Sequence, residues 1–302
     1  MYKKHFNLKD KPFNLIPDPD YLYLSSKHKI GLSLLEYGLM ETAAGLTVIS
    51  GEVGAGKTTL IRKLMRRIDH DQLMVGIINN TSTIKEELMS WVASVFELPH
   101  ENKDNVTIFR EFQQFLIQEY AKGRRTVLIV DEAQNLGGKA LEELRMLTNI
   151  NADRDQLLQI VLVGQPELLE ILKQQQYAQI AQRVSVEFHL DALEYEEVRH
   201  YIRHRLDVAG GSPDIFTESA IKAIYYFTEG VPRLINTLCD YALVHAYATG
   251  SVNVDLKTFL GVVQGRRIGG INHHVKNVEA LEVIRQAVLE YDGVDLKTDI
   301  GG

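Results

Sequence analysis

The chain has 302 residues, 45% of them hydrophobic and 24% charged, with a formal net charge of -7. That balance is ordinary for a soluble globular protein, of roughly two domains at ~150 residues each; the acidic total argues mildly against a surface built mainly to neutralise nucleic acid, although a local basic strip is compatible with it. Cys239 is the only cysteine, which excludes an internal disulfide and a multi-cysteine zinc site and suits a reducing compartment.

No apolar run approaches the ~18 residues of a spanning helix, and the Lys-bearing start lacks an apolar signal core. The expected location is therefore the cytoplasm, with attachment at the inner membrane only through a partner.

From His5 to Lys29 the sequence carries three prolines, Pro12, Pro17 and Pro19, which forbid a long helix. Phe6, Phe13, Leu15, Tyr21 and Tyr23 are too apolar for a solvated tail, so the segment is expected to lie pinned on a surface, as a lid over a bound ligand or as a packed arm. Ser25 or Ser26 then caps a helix running through Ile30, Leu34, Leu35 and Leu39.

The apolar run Leu46 to Ile49 leads into GEVGAGKT, Gly51 to Thr58, followed by a helical pattern from Leu60 to Ile68. Strand, Gly-rich loop and helix in that order are the context a phosphate-binding P-loop needs. Gly51, Gly54 and Gly56 let the backbone curl so that its N–H groups face phosphate oxygens, and the helix N-terminus adds to the field. Lys57 is expected to reach the β- and γ-phosphates of ATP, and Thr58 to place its hydroxyl on Mg²⁺. Gly51, Glu52, Val53, Gly54, Ala55, Gly56, Lys57, Thr58 and Thr59 form the expected nucleotide-binding set.

LMVGII, Leu73 to Ile78, reads as a buried strand ending at Asn79 and Asn80. That pair is either a turn, which asparagine favours, or a polar hold on a catalytic carboxylate. Helical patterns follow from Ile84 to Phe96 and from Thr107 to Tyr120. TVLIVDEAQ, Thr126 to Gln134, is a strand running into Asp131 and Glu132, the second half of a nucleoside-triphosphate site. Asp131 would hold Mg²⁺ through water, and Glu132 would activate the attacking water. Another buried strand within Gln156 to Leu168 stops at Gly164 and Gln165, where a polar side chain can touch the γ-phosphate or the attacking water, which makes Gln165 a sensor candidate. Arg183 precedes an alternating strand, Val184 to Leu190, either as a solvated charge or as an arginine supplied to a neighbouring subunit.

From Leu193 onward the alternation of strand and helix stops. Helical patterns cover Tyr195 to Ala209, Thr217 to Thr228, Arg233 to Ala248 and Leu256 to Gln264, with Gly-containing breaks between them. His200 and His204 share a helix face without a third ligand, so a wet face is expected rather than a metal site. One further helical stretch lies near Val278 to Tyr291, in a tail or docking helix.

These strings together resemble AAA+ ATPases, and more narrowly the bacterial general secretion pathway protein A, or ExeA-like, family. The resemblance is carried by Tyr2 to Ser25, GEVGAGKTTL, VLIVDEAQNL, VGQPEL and GVPRLINTLCDYAL, Gly230 to Leu243. It implies an α/β fold, a P-loop NTPase (AAA+/ASCE) core with five parallel strands and a C-terminal all-helical lid. The implied divisions are an arm at 1–29, the ATPase core at 30–192, the lid at 193–265 and a tail with a short helix at 266–302. It further implies that Gln165 stands at the sensor position, that Arg183 matches the arginine finger, and that Arg233 matches the lid arginine reaching the γ-phosphate.

The implied activity is ATP hydrolysis with Mg²⁺ by a ring or filament of copies, serving a membrane-associated envelope assembly protein in secretion, pilus biogenesis or exopolysaccharide export. Long members of the family join the ATPase through one membrane helix to a periplasmic peptidoglycan-binding part; this sequence holds neither, which is similar to the short members. The alternative is a DNA-binding AAA+ regulator like the transposition ATPases, with Arg62, Lys63, Arg66, Arg67, Lys122, Arg124 and Arg125 lining DNA. A nucleotide-binding switch with negligible turnover is the third reading.

Overall fold

The computed structural model describes residues 1–40, 46–69, 71–79, 81, 88–152, 155–265 and 278–298. Asn80 and the beginning of the helix expected from Ile84 lie outside them. In chain order the elements are α1 (Tyr2–His5), α2 (Ser26–Met40), β1 (Leu46–Gly51), α3 (Lys57–Arg67), β2 (Leu73–Ile78), α4 (Leu88–Val95), α5 (Asn105–Ala121) and β3 (Arg125–Val130). Then come α6 (Gly138–Leu147), β4 (Asn151–Ala152), β5 (Asp155–Gln156), β6 (Leu158–Gly164), α7 (Glu167–Leu172), α8 (Ala178–Ala181) and β7 (Val184–Leu190). The rest is helical: α9 (Tyr195–Val208), α10 (Glu218–Thr228), α11 (Pro232–Thr249), α12 (Leu256–Gln264) and α13 (Val278–Asp292).

Two compact units result, one made of Ser26–Val53 and Leu60–Leu190, the other of Met1–Ser25, Gly54–Thr59 and Asp191–Gly302. The first is built on a five-stranded sheet in the order β2-β3-β6-β1-β7, with every neighbouring pair parallel. Strands covered on both faces are mostly apolar, and β1 and β6 are buried at every position, with Thr47, Ser50 and Gln159 as buried polar exceptions. Ser50 stands beside Gly164, and Val130 beside Leu162. The C-terminal ends of β1, β3 and β6 therefore open on one edge of the sheet, where ligands of open α/β sheets bind.

Helix α5 shows how local sequence and packing agree. Asp104 caps it by accepting from Thr107 N at 2.8 Å, and Ile108, Phe112 and Leu116, four apart, turn one face into the core. The segment between Asn135 and Asp155 carried no expectation, yet α6 forms there and buries Ala140, Leu141, Leu144 and Leu147. Its Gly137-Gly138 start has poor helix propensity, which the burial of four apolar side chains overrides.

In the second unit, residues 1–25 share one core with α9 to α13. Tyr2, Phe6, Leu8, Phe13 and Tyr21 are buried, and the Phe13 ring meets Phe216 edge-on at 5.7 Å. Full burial of a side chain such as Phe13 contributes about 1.5–3 kcal/mol. Leu15 departs from expectation: it is 52% exposed beside the exposed Ile16. The guanidinium of Arg205 fixes the arm's path, donating to the carbonyls of Pro12 at 2.5 Å and Asn14 at 3.3 Å and lying 5.1 Å from the centre of the Tyr21 ring.

Glu194 and Glu197 form a capping box on α9, and Thr217 caps α10. Helix α13 lays Leu281, Ile284 and Val288 into the same core and packs on α10. Cys239 is fully buried, and that burial pushes its thiol well above the ordinary value, so it is an inert apolar filler.

Candidate functional site

Between β1 and α3 the chain makes the tight curl that the glycines allow. Gly54 and Gly56 have φ of 82° and 105°, a region that residues with a Cβ rarely enter. Lys57 opens α3 and is only 7% exposed, while Thr58 follows in its first turn. The N-terminus of an 11-residue helix, the positive end of its dipole, thus begins where the glycines end. In the same unit, Arg233 donates its backbone N–H to the carbonyl of Gly54 at 3.2 Å. A Cβ at Gly54 would stand 2.5 Å from the Cβ of Arg233, so only glycine permits this approach. Pro232 starts α11 without needing a donor, which brings Arg233 to the N-terminus of that helix with its side chain exposed.

At the tip of β3, Asp131 is buried and bonded through its backbone N–H to Ile78 O at 2.8 Å. Glu132 adopts the left-handed conformation, φ 55° and ψ 37°, which is uncommon for a residue with a side chain. Bonds to several neighbouring groups hold it there or depend on it. Its N–H donates to Asp131 Oδ1 at 2.9 Å, its carbonyl accepts from Thr81 Oγ1 at 2.6 Å, and its carboxylate accepts from Gln134 Nε2 at 2.6 Å. Gln165, at the tip of β6, donates from Nε2 to the same carboxylate oxygen at 3.3 Å and from its backbone N–H to Gln134 Oε1 at 3.0 Å.

Gln134 and Thr81 were not singled out from the sequence; Asn79 is exposed. The signal for Gln134 was its place two residues beyond Glu132, on the tight turn Ala133–Asn135 that folds back to the strand end. The donor set suits a nucleotide with Mg²⁺: backbone N–H groups and a lysine for phosphate, and a hydroxyl and a carboxylate, both hard oxygen donors, for the metal.

The AAA domain family profile matches residues 40–172, the stretch that holds the P-loop, Asp131 and Glu132. The chain is 40% identical over 252 residues to the general secretion pathway protein A of Aeromonas hydrophila, an alignment covering 83% of this chain and 46% of that protein. The chain belongs to the general secretion pathway protein A family of AAA+ proteins. It spans about half the length of that relative.

Among solved structures, the Aeropyrum pernix ORC2 protein in its ADPNP–ADP complexes matches with a TM-score of 0.66 at 16% identity, over 96% of this chain and 86% of that one. The Aeropyrum pernix ORC1 protein in complex with DNA matches with a TM-score of 0.62 at 16% identity, over 85% and 73%. At such identity the likeness is one of fold: the P-loop parallel sheet and the helical region of an AAA+ protein.

Against that family background the remaining candidates divide. Arg183 is exposed just ahead of β7 and bonds Asn149 through a terminal guanidinium nitrogen. Arg62, Arg66 and Arg67 are exposed on α3, where Arg67 pairs with Glu36 at 3.1 Å. Lys122 and Arg124 both pair with the buried carboxylate of Glu119. His200 is exposed, His204 lies against the Tyr23 ring, and no group of three metal-ligating side chains occurs among the described residues. No helix among the described residues is long and apolar enough to cross a membrane.

Proposed function

We propose that this chain binds ATP with Mg²⁺, hydrolyses it as an assembly of copies, and acts as an accessory motor or switch in cell-envelope secretion. The observation that carries the reading is the parallel order β3-β6-β1, whose C-terminal ends lead into Asp131-Glu132, Gln165 and the P-loop respectively. Three strand ends on one edge are how doubly wound sheets gather the parts of one site. The secretion role rests on the relative's name and on its 40% identity.

In this reading Gly51, Glu52, Val53, Gly54, Ala55, Gly56 and Thr59 shape the cradle, and Lys57 neutralises the β- and γ-phosphates. Thr58 and Asp131 hold the metal ion, which supplies positive charge against the oxygens that gain negative charge during transfer. Glu132 accepts the proton of the attacking water. Gln165 orients that water or the γ-phosphate, Arg233 reaches the γ-phosphate from α11, and Arg183 serves the site of the next copy.

Calorimetry tests the assignment. Lys57→Ala should lose ATP binding, whereas Glu132→Gln should bind ATP and fail to turn it over, because an amide cannot accept the proton. Unchanged affinity in the first variant removes the P-loop assignment. A membrane pull-down with Glu132→Gln, trapped with ATP, should then retain the envelope partner.

The exposed basic face of α3 and the likeness to a DNA-bound fold neighbour support a second reading, a DNA-binding AAA+ regulator. ATP-dependent DNA binding that weakens steeply with salt and disappears on reversing Arg66 and Arg67 would select it, since each neutralised phosphate releases counterions. No shift at low salt selects the envelope reading.

A further inference from the structure

We propose that Gln134 is a positioning residue that ties the carboxylate of Glu132 to the backbone of Gln165, so that the base and the tip of β6 are aimed as one unit. The inference rests on the reading of Glu132 as the base. Its geometry is independent of that reading.

The orientation of the Gln134 amide is forced by its neighbours. The backbone N–H of Gln165 can only donate, so the group facing it at 3.0 Å must be the Gln134 carbonyl oxygen. That leaves the amide NH₂ toward Glu132, where it meets the carboxylate oxygen at 2.6 Å. A carboxylate strengthens and shortens such a bond, and the Gln165 side chain makes a longer one of 3.3 Å to the same oxygen. The Gln165 side chain is thus the weaker holder and the one free to turn to a reacting group. Its backbone N–H would keep hold of Gln134 throughout, and Gln134 would keep hold of Glu132.

Two further features fit. Glu132 sits in a left-handed backbone conformation that residues with a Cβ rarely adopt, so outside bonds are needed to hold it there. Gly164 supplies the room, since a Cβ there would stand 2.9 Å from Gln134 Oε1 and 2.8 Å from Leu168 Cδ2.

The test compares Gln134→Met, which keeps length and loses both bonds, with Gln134→Glu, which keeps the acceptor and sets one carboxylate against another. Both should lower kcat by about 10²-fold, the scale of a misaimed catalytic group, with KM for ATP changed by no more than about twofold. Gln134→Met added to Glu132→Gln should cost nothing beyond Glu132→Gln alone, as expected of residues acting as a unit.

If Glu132→Gln is inactive while both Gln134 variants turn over at the wild-type rate, the positioning role is wrong and the base assignment stands. If Glu132→Gln hydrolyses normally, the base assignment falls and takes the inference with it. If ATP affinity and thermal stability of both Gln134 variants fall in step with kcat, Gln134 is structural support and the inference is overturned.

Discussion

The backbone N–H of Arg233, at the start of α11, donates to the carbonyl of Gly54 inside the P-loop at 3.2 Å. One bond thereby joins the loop proposed to cradle phosphate to the helix whose first turn presents the proposed γ-phosphate arginine. Gly54→Ala should break this in two ways, by forcing a Cβ into φ 82° and by pressing it against the Arg233 Cβ. The conformational part alone costs about 1–2 kcal/mol. The expected outcome is a lowered melting temperature together with loss of ATP affinity by calorimetry; wild-type affinity would show that the loop tolerates the displaced helix.

Arg183→Ala should bind ATP nearly normally and hydrolyse it poorly, because a supplied guanidinium is worth about 10³–10⁵ in rate in comparable phosphoryl transfers. The exposed position ahead of β7 motivates the expectation. Specific activity of the wild type should climb with protein concentration. Mixing Arg183→Ala with Lys57→Ala should restore part of the activity, since one interface then joins an intact loop to an intact arginine; a dead mixture in which mixed oligomers demonstrably form counts against action in trans.

Arg205→Met should loosen residues 1–25. The guanidinium is nearly buried and is the donor to Pro12 O and Asn14 O, besides bonding the Tyr201 hydroxyl at 2.9 Å. A buried acceptor left without its donor costs about 1–3 kcal/mol. Limited proteolysis should cut the arm early in this variant while fragments of the sheet unit survive. Cleavage kinetics equal to the wild type would mean that Phe13 and its apolar neighbours suffice to hold the arm.

Stability should carry an acid-sensitive contribution from Asp295. Arg285 grips its carboxylate at 2.6 and 2.7 Å, and this ion pair holds the carboxyl well below the usual carboxylate range. A folded-state value below the unfolded one stabilises fully above the unfolded value, about pH 3.9, and that stability drains away as pH falls toward the folded value. Thermal melts of wild type and Asp295→Asn should therefore differ at neutral pH, with the gap starting to close below about pH 4 and narrowing further as pH falls. A gap that stays constant across that range would place the effect in packing of the segment after α13 instead.

Segments dominated by Val, Leu and Ile identify β1, β3 and β6 from the sequence, because a strand buried on both faces shows little polar alternation. GEVGAGKT and VLIVDEAQ were legible for a related reason: phosphate and metal chemistry needs particular residue types at fixed local spacing, and local spacing is what a sequence displays. The helical patterns that became α9 to α12, and the Gly-containing breaks between them, were equally local. By itself, then, the sequence determined the P-loop fold class, the helical second half and the residues opening each half of the candidate site.

Only the tertiary structure decided the order β2-β3-β6-β1-β7, the insertion of residues 1–25 into the helical core, and the bonds from Gln134, Gln165 and Thr81 to Glu132. Parallel strand pairing and a glutamine reaching from a turn to a strand tip 31 residues on are contacts between segments remote in the chain. Their energies depend on which surfaces meet after folding, and no local period or spacing encodes that meeting.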